Sequence, residues 1–309
     1  MGRTLLPIKM TFATFVLQAF NGLSLFTVLL LMALGLAIVF GLMGVINMAH
    51  GELMAMGAYA TYATANLFQW LMPGAMDLFF VVGILVAFAV TFSFGWLMER
   101  GLIQFLYRRP LDTLLATWGV SLVLQQVFRH AFGPKEVTVP TVSWLQGAVE
   151  VLPDVSLPLS RLFIIGLALL VTAGVYKLLF GTRLGLELRA VMQNRAMAGA
   201  AGIDTERVDA LSFALGCGLA GIAGSSFTML ASTGPVTGQQ YIVDTFIVVV
   251  FGGVESLLGT FASAFLIGQM QSTLEYLLSG SMAKATILLL VIVALYFRPN
   301  GLFAAKVRR

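Results

Sequence analysis

The chain has 309 residues, 59% of them hydrophobic and only 10% charged, with a mean hydropathy of +0.94 and a net charge of +4. Soluble domains carry about 25% charged residues, so a soluble polar shell is excluded and the fold class expected is an all-α, polytopic transmembrane helical bundle. Continuous apolar runs exclude a membrane barrel, the single Cys217 excludes an internal disulfide, and the charge balance bears on topology rather than nucleic acid.

Residues 1–9 lead into an apolar stretch with no small-residue cleavage site, so no cleavable signal is expected. Gln18 and Asn21 interrupt the next run, so residues 8–20 read as an in-plane amphipathic helix. Hydropathy marks spans at 18–43, 51–68, 78–98, 112–132, 160–180, 208–230, 241–254, 257–278 and 284–297, which gives eight or nine crossings. The second and seventh are short and broken by Gly, Pro or polar residues.

Three basic regions alternate correctly if all are cytoplasmic: Arg100, Arg108 and Arg109; Lys177, Arg183, Arg189, Arg195 and Arg207; and Arg298, Lys306, Arg308 and Arg309. The C-terminus is then inside, and an odd span count puts the N-terminus outside. Connection 133–159 falls outside as a loop or short element, with Lys135 against Glu136, Glu150 and Asp154, and four prolines. Segment 182–207 is amphipathic, with Leu186, Ala190, Met197 and Ala201 on an apolar face and Arg183, Glu187, Arg189 and Arg195 wet. It predicts one or two short helices at the membrane surface, or a solvated loop.

Two stretches place polar, glycine-rich backbone at membrane depth, which is tolerated only where protein or a wet cavity satisfies it. The first, 44–57, holds Asn47, His50 and Glu52 among Gly44, Gly51 and Gly57. The second, 232–244, holds Gly234, Pro235 and Gly238, then Gln239, Gln240, Tyr241 and Asp244. They follow spans of opposite sense, so two interrupted helices in an inverted repeat, with the solute route at its midplane, are expected. Gly216, Ala220 and Gly224 repeat every four residues and suit close helix packing.

An enzyme is disfavoured. His50 and His130 are the only histidines, and no HExxH, GxSxG or Walker A pattern occurs, so no catalytic residue and no metal site is assigned. Cys217 has apolar neighbours and reads as packing.

The stretches GLMGVINMAHGELMAMGAYA (41–60), LRAVMQNRAMAGAAGID (188–204) and YIVDTFIVVVFGGVESLLGT (241–260) resemble permease subunits of branched-chain amino-acid-type ABC importers. RPLDTLLATWGVSLVLQQ (109–126), with INMAHGE, resembles the urea-importer branch, and the likeness extends to FRPNGLF (297–303). The resemblance implies a single permease domain over 1–309 in a bacterial inner membrane. It implies a second, related permease, two cytoplasmic ATPase subunits, an extracytoplasmic solute-binding protein, and no cofactor on this chain, ATP and Mg being held by the ATPases. Segment 182–207 becomes the coupling segment, with Arg195, Ala198, Ala201 and Gly202 toward the ATPase. Ala196, where relatives often carry an acid, and Glu255, where a small residue is common, depart from the pattern.

The expected function is import of urea or a short amide, with branched-chain amino acids as the alternative and a stand-alone channel as a different class. Asn47, His50, Glu52, Gln239, Gln240, Tyr241 and Asp244 would line the route, offering amides and a carboxylate to a neutral solute. Other roles stay open at this point. His50 and Glu52, read as lying near a cytoplasmic span end, could pair with each other or cap a helix. Gln239 and Gln240 could sit at the outer mouth, and Asp244 could be a helix-start carboxylate. Glu275 and Lys284 read as solvated, and Met48, Met54 and Met56 as packing.

Overall fold

The computed structural model describes residues 12–107, 109–152 and 155–303. Residues 8–11, Arg108, Pro153, Asp154, Lys306, Arg308 and Arg309, used in the topology argument above, lie outside the described residues. In chain order the helices are α1 (Phe12–Leu36), α2 (His50–Leu71), α3 (Phe79–Gly101), α4 (Pro110–Phe132), α5 (Leu159–Gly181), α6 (Arg183–Gln193), α7 (Arg195–Ala200), α8 (Thr205–Phe227), α9 (Thr237–Gly252), α10 (Leu257–Leu277) and α11 (Gly280–Phe297). Between α4 and α5 lies an antiparallel hairpin of β1 (Ala148–Leu152) and β2 (Val155–Pro158).

Local chemistry sets several starts. Pro110 opens α4 with Asp112 in its first turn, where a missing N–H costs nothing and an anion meets the helix dipole. Side chains of Thr182, Asn194, Asp204 and Ser256 each accept the backbone N–H three residues on, capping α6, α7, α8 and α10.

Among the described residues, six segments are long and apolar enough to cross a membrane: Thr14–Leu42, Pro73–Phe105, Pro110–Phe132, Leu159–Gly181, Thr205–Phe227 and Gly280–Phe297. That is fewer than the eight or nine crossings expected. Helices α2 and α10 have the length but spend it on polar residues such as His50, Glu52, Gln269 and Gln271, and α9 has only 16 residues.

The in-plane helix expected at 8–20 is not seen in its described part, because α1 runs unbroken from Phe12 through Gln18 and Asn21. Those polar groups need no interface with water. Ser272 donates to the Gln18 carbonyl at 2.8 Å and Gln269 to the Ala19 carbonyl at 3.1 Å, while Arg161 donates to Asn21.

The bundle is centred on α1 and α8, which lie antiparallel. Val28 and Phe227 share one buried cluster, Val39 and Phe213 another, and Gly35 abuts the Gly216 carbonyl between them. Helix α3 packs antiparallel on α8, with Gly95 against Cys217 and Thr91 against Gly221. Helix α10 packs antiparallel on α1, with Gly268 against Phe26 and the Phe26 ring edge-on to Phe261 and Phe265. Between helices in lipid no water is left to expel, so contact rests on close packing and small residues. The glycines of α8 therefore do not form the single stripe their spacing suggested. Gly216 meets α1, Gly218 and Gly221 meet α3, and Gly224 meets α2, because α8 is buried on every side.

Candidate functional site

Helix α1 ends in a π-helical turn, Ala37–Leu42, a form often found at functional sites. The chain then leaves the helix at Gly44, whose φ of +68° needs a residue without a Cβ. Residues 45–49 fold back. Met48 donates its N–H to the Thr117 hydroxyl at 3.0 Å, and Ala49 donates to the Asn47 side-chain oxygen at 3.0 Å. Helix α2 therefore starts inside the bundle. The His50 Nε2 lies 3.1 Å from the Met32 carbonyl, and its ring lies against Gly35, which backs onto the midpoint of α8.

This corrects the placement of His50 and Glu52 near a span end, and the suggestion that they pair. His50 faces α1, whereas Glu52 faces α4 and accepts from Gln125 at 2.8 Å and Ser121 at 3.2 Å. Residues four apart on a helix share a face, and Thr113, Thr117, Ser121 and Gln125 form one buried polar ladder on α4 directed at this region. The ladder was missed from sequence, although its spacing lies within the motif quoted at 109–126. Within this buried region the Asn47 amide nitrogen, the His50 Nδ1, the second Glu52 oxygen and the Tyr59 hydroxyl find no hydrogen-bond partner in the described chain. Met54 is fully buried and packs as expected.

The second interruption is shorter than the sequence suggested. Residues 228–236 leave α8, Thr233 pairs with Val137 through two 2.9 Å backbone bonds, and Gly234 donates to the Thr237 hydroxyl at 2.8 Å. Helix α9 then begins at Thr237, so Gln239, Gln240, Tyr241 and Asp244 are helical rather than part of a break. Gly238 is not a breaker. A Cβ there would come 2.8 Å from the Glu52 nitrogen, and one on Gly51 would come 2.8 Å from the Gly238 carbonyl carbon. The first turns of α2 and α9 thus touch through paired glycines, bringing the two interrupted segments together.

Of the α9 residues expected on the route, Gln239 and Gln240 are exposed. Asp244 is bound to Lys284 at 2.6 Å, so Lys284 is not simply solvated, and its Nζ also lies 5.4 Å from the Tyr241 ring centre. Tyr241 lines a cavity of about 590 Å³ with Gln18, Asn21, Arg161, Phe227 and Glu275. Glu275 is exposed there and accepts from Gln271 at 2.9 Å. This cavity lies at the end of the bundle away from α6 and α7.

The other end is basic. Helices α6 and α7 bury Gly185, Leu188, Val191 and Ala198 and expose Leu186, Met192 and Met197, and Ala201 and Gly202, in the turn just past α7, are exposed as well. The apolar face drawn from sequence is thus largely the outward one, because α6 and α7 are separate helices with a change of direction at Asn194. Arg195 does not simply face outward. It binds Asp209 at 2.6 Å and stacks 5.2 Å above Tyr107. Burial, with Asp209 and Glu99 nearby, raises the Tyr107 hydroxyl well above its ordinary pKa, so it stays a donor and bonds Glu99 at 3.0 Å. No cluster of three or more His, Cys, Asp or Glu suited to a metal occurs among the described residues.

An all-helical bundle with helices interrupted at depth, enclosing buried polar groups, defines the class of polytopic membrane permeases. The family model for the branched-chain amino acid transport system permease component matches residues 18–295, and the chain belongs to that family. It is 26% identical to the high-affinity branched-chain amino acid transport system permease protein LivH of Salmonella typhimurium, over 94% of this chain and 96% of that one. It is 26% identical to BraD of Pseudomonas aeruginosa, described in the same words, covering 92% and 94% of the two chains. It is 27% identical to a probable branched-chain amino acid transport permease protein LivH of Methanocaldococcus jannaschii, covering 89% and 88%. No solved structure matches the chain. The relatives are transport permease components, and this chain is a transporter subunit rather than an enzyme. The urea branch suggested by the motifs is not among these relatives.

Proposed function

We propose that the chain is one permease subunit of an ATP-driven importer in a bacterial inner membrane, and that its solute is an amino acid of the branched-chain type. The basic end, with the C-terminus, faces the cytoplasm. The observation that carries the solute reading is the cavity at the opposite end, where Arg161 and Glu275 line one space with Asn21 and Gln18. A zwitterion presents a carboxylate and an ammonium, and charged partners of both signs meet it. The names of the relatives support the same solute.

Partners follow from the family. A solute-binding protein delivers to the cavity end, a second permease completes the route, and two ATPases dock at the basic end, where Leu186, Met192 and Met197 stand exposed beside Ala201 and Gly202. An inverted repeat is supported by the exchange of neighbours across the centre. Helices α1 and α8 are antiparallel, α3 packs on α8 as α10 packs on α1, and the starts of α2 and α9 meet at Gly51 and Gly238. Asn47 and Glu52 would then act near the centre of the route and Tyr241 near its entrance, while Gln239, Gln240 and Asp244 lie beside it and His50 anchors α2 to α1.

A second reading, urea or a short amide, is favoured by one observation. The buried set around Glu52 (Asn47, Thr117, Ser121 and Gln125) offers amides and hydroxyls but no cation, which suits a neutral solute. Uptake of labelled leucine and labelled urea by vesicles holding the full complex decides between them. ATP-dependent leucine uptake is expected. Urea uptake without leucine uptake reverses the choice, and ATP-independent flux through this chain alone makes it a channel.

A further inference from the structure

The basic end contains a charge network that the sequence did not disclose and that the transport reading does not by itself explain. Arg195 opens the six-residue α7. Its guanidinium meets the Asp209 carboxylate at 2.6 Å and lies over the Tyr107 ring. Tyr107 bonds Glu99 at the end of α3, and the neighbouring Arg100 reaches Glu206 in the first turn of α8 at 3.5 Å. Asp209 and Glu99 are buried. A surface segment, the α3–α4 connection and the foot of the central helix thus converge on one guanidinium. The cavity beside it, about 690 Å³, is lined by Arg195, Asp209, Tyr107 and also Met43, the residue that follows the π-turn of α1.

We propose that the Arg195–Asp209 pair, seated on Tyr107, is the rigid link that passes movement of α6 and α7 to α8, and from there to the interrupted segment at 43–49. Arg195 is a positioning residue that works inward, not a contact offered to the ATPase. This rests on the reading above that α6 and α7 receive the ATPase. Three properties favour the link. A guanidinium holds a carboxylate and an aromatic face at once in fixed geometry, which an ammonium does not. Asp209 is buried, so separating the pair strands a charge and the two groups move together. Helix α8 touches α1, α2 and α3 along its length, so displacement of its foot reaches the starts of α2 and α9.

The test uses the complete reconstituted importer and reads two quantities, retention of the ATPase and solute moved per ATP hydrolysed. Arg195→Gln and Tyr107→Leu are each expected to keep the ATPase and its hydrolysis while lowering the transport ratio at least fivefold. Arg195→Lys should recover part of it, and Lys177→Gln, at an exposed position on α5 outside the docking segment, should change nothing. Tyr107→Leu leaves Asp209 paired and serves if Arg195→Gln does not fold. A normal ratio in either folded variant overturns the link. Loss of the ATPase from a folded Arg195→Gln complex also overturns it and makes Arg195 a direct contact. Retention of the ATPase by a folded chain in which α6 and α7 are replaced by an unrelated linker instead sinks the docking reading, and the link with it.

Discussion

Gly51 and Gly238 lie face to face, each occupying the space that a Cβ on the other would need. This contact joins the two interrupted segments, and it sets a sharp steric limit. Gly51→Ala or Gly238→Ala forces α2 and α9 apart. Overpacking of this kind costs about 1–3 kcal/mol, read as a lower melting temperature in detergent. Gly174→Ala in α5, where a Cβ would meet nothing within 4 Å, is the control. It is expected to be neutral or to stabilise by up to about 1 kcal/mol, the helix preference for alanine.

Glu52 is held by Gln125 and Ser121 on α4. Gln125→Leu removes the shorter bond and leaves the carboxylate under-bonded in a buried place, at a cost of about 1–3 kcal/mol. Glu52→Gln keeps the shape and can still bond both partners, so it should leave assembly and melting nearly unchanged. If Glu52 lines the route, uptake through the Glu52→Gln complex falls about tenfold, the scale of one charge-assisted hydrogen bond to solute. Unchanged uptake assigns Glu52 to holding α4 alone.

The location of the helices was legible in the sequence, since long apolar runs announce themselves, and α3, α4, α5, α10 and α11 begin and end within a few residues of the expected bounds. The glycines misled. Gly238 and Gly51 were read as breakers, yet their cause is a neighbouring backbone, and no local pattern distinguishes the two. The α4 ladder was readable in principle from its four-residue spacing, but only the partner helix reveals which side of α4 is buried. Nothing in the local sequence singles out Asp209 or Glu99. Their burial depends on Arg195 and Tyr107, which are 14 and 8 residues away and reach them only in the fold.

Arg161 and Glu275 share the cavity away from the basic end. Arg161→Gln and Glu275→Gln should each lower leucine uptake several-fold, since a charge-assisted bond is worth about 1.5–3 kcal/mol when fully made and less at a wet mouth. Urea carries no charge, so its uptake by the same complexes should not respond. Comparing the two labelled solutes in one vesicle preparation checks both the cavity and the choice of solute.

Asp244 was expected to line the route or to be a helix-start carboxylate, and its bond to Lys284 offers a plainer role. The lysine side chain is 40% exposed and the carboxylate 14%, so screening limits the pair to about 1 kcal/mol or less. Asp244→Asn, Lys284→Met and the double variant should therefore melt within a few degrees of one another, with the double no worse than the poorer single. A gating carboxylate would instead make Asp244→Asn lower uptake while Lys284→Met did not, and uptake assays on the three variants separate these outcomes.

Docking of the ATPase can be probed without disturbing the permease fold. Gly202→Trp, the obvious choice from sequence, confounds two effects. Gly202 has φ +86°, and a side chain in that left-handed region costs about 1–2 kcal/mol whatever it touches. Leu186 and Met197 are better placed, being 61% and 66% exposed and outside the buried clusters. A lone exposed leucine needs no explanation, but these two stand on adjacent short helices on the same outward side of a segment whose inner side is already filled by Leu188, Val191 and Ala198. Leu186→Asp and Met197→Asp should leave melting unchanged, because neither side chain supports the core. Each should weaken ATPase retention at least tenfold if it fills a pocket on the partner, the loss typical of a buried interface anchor. Full retention by the double variant would move the docking site elsewhere on the basic end.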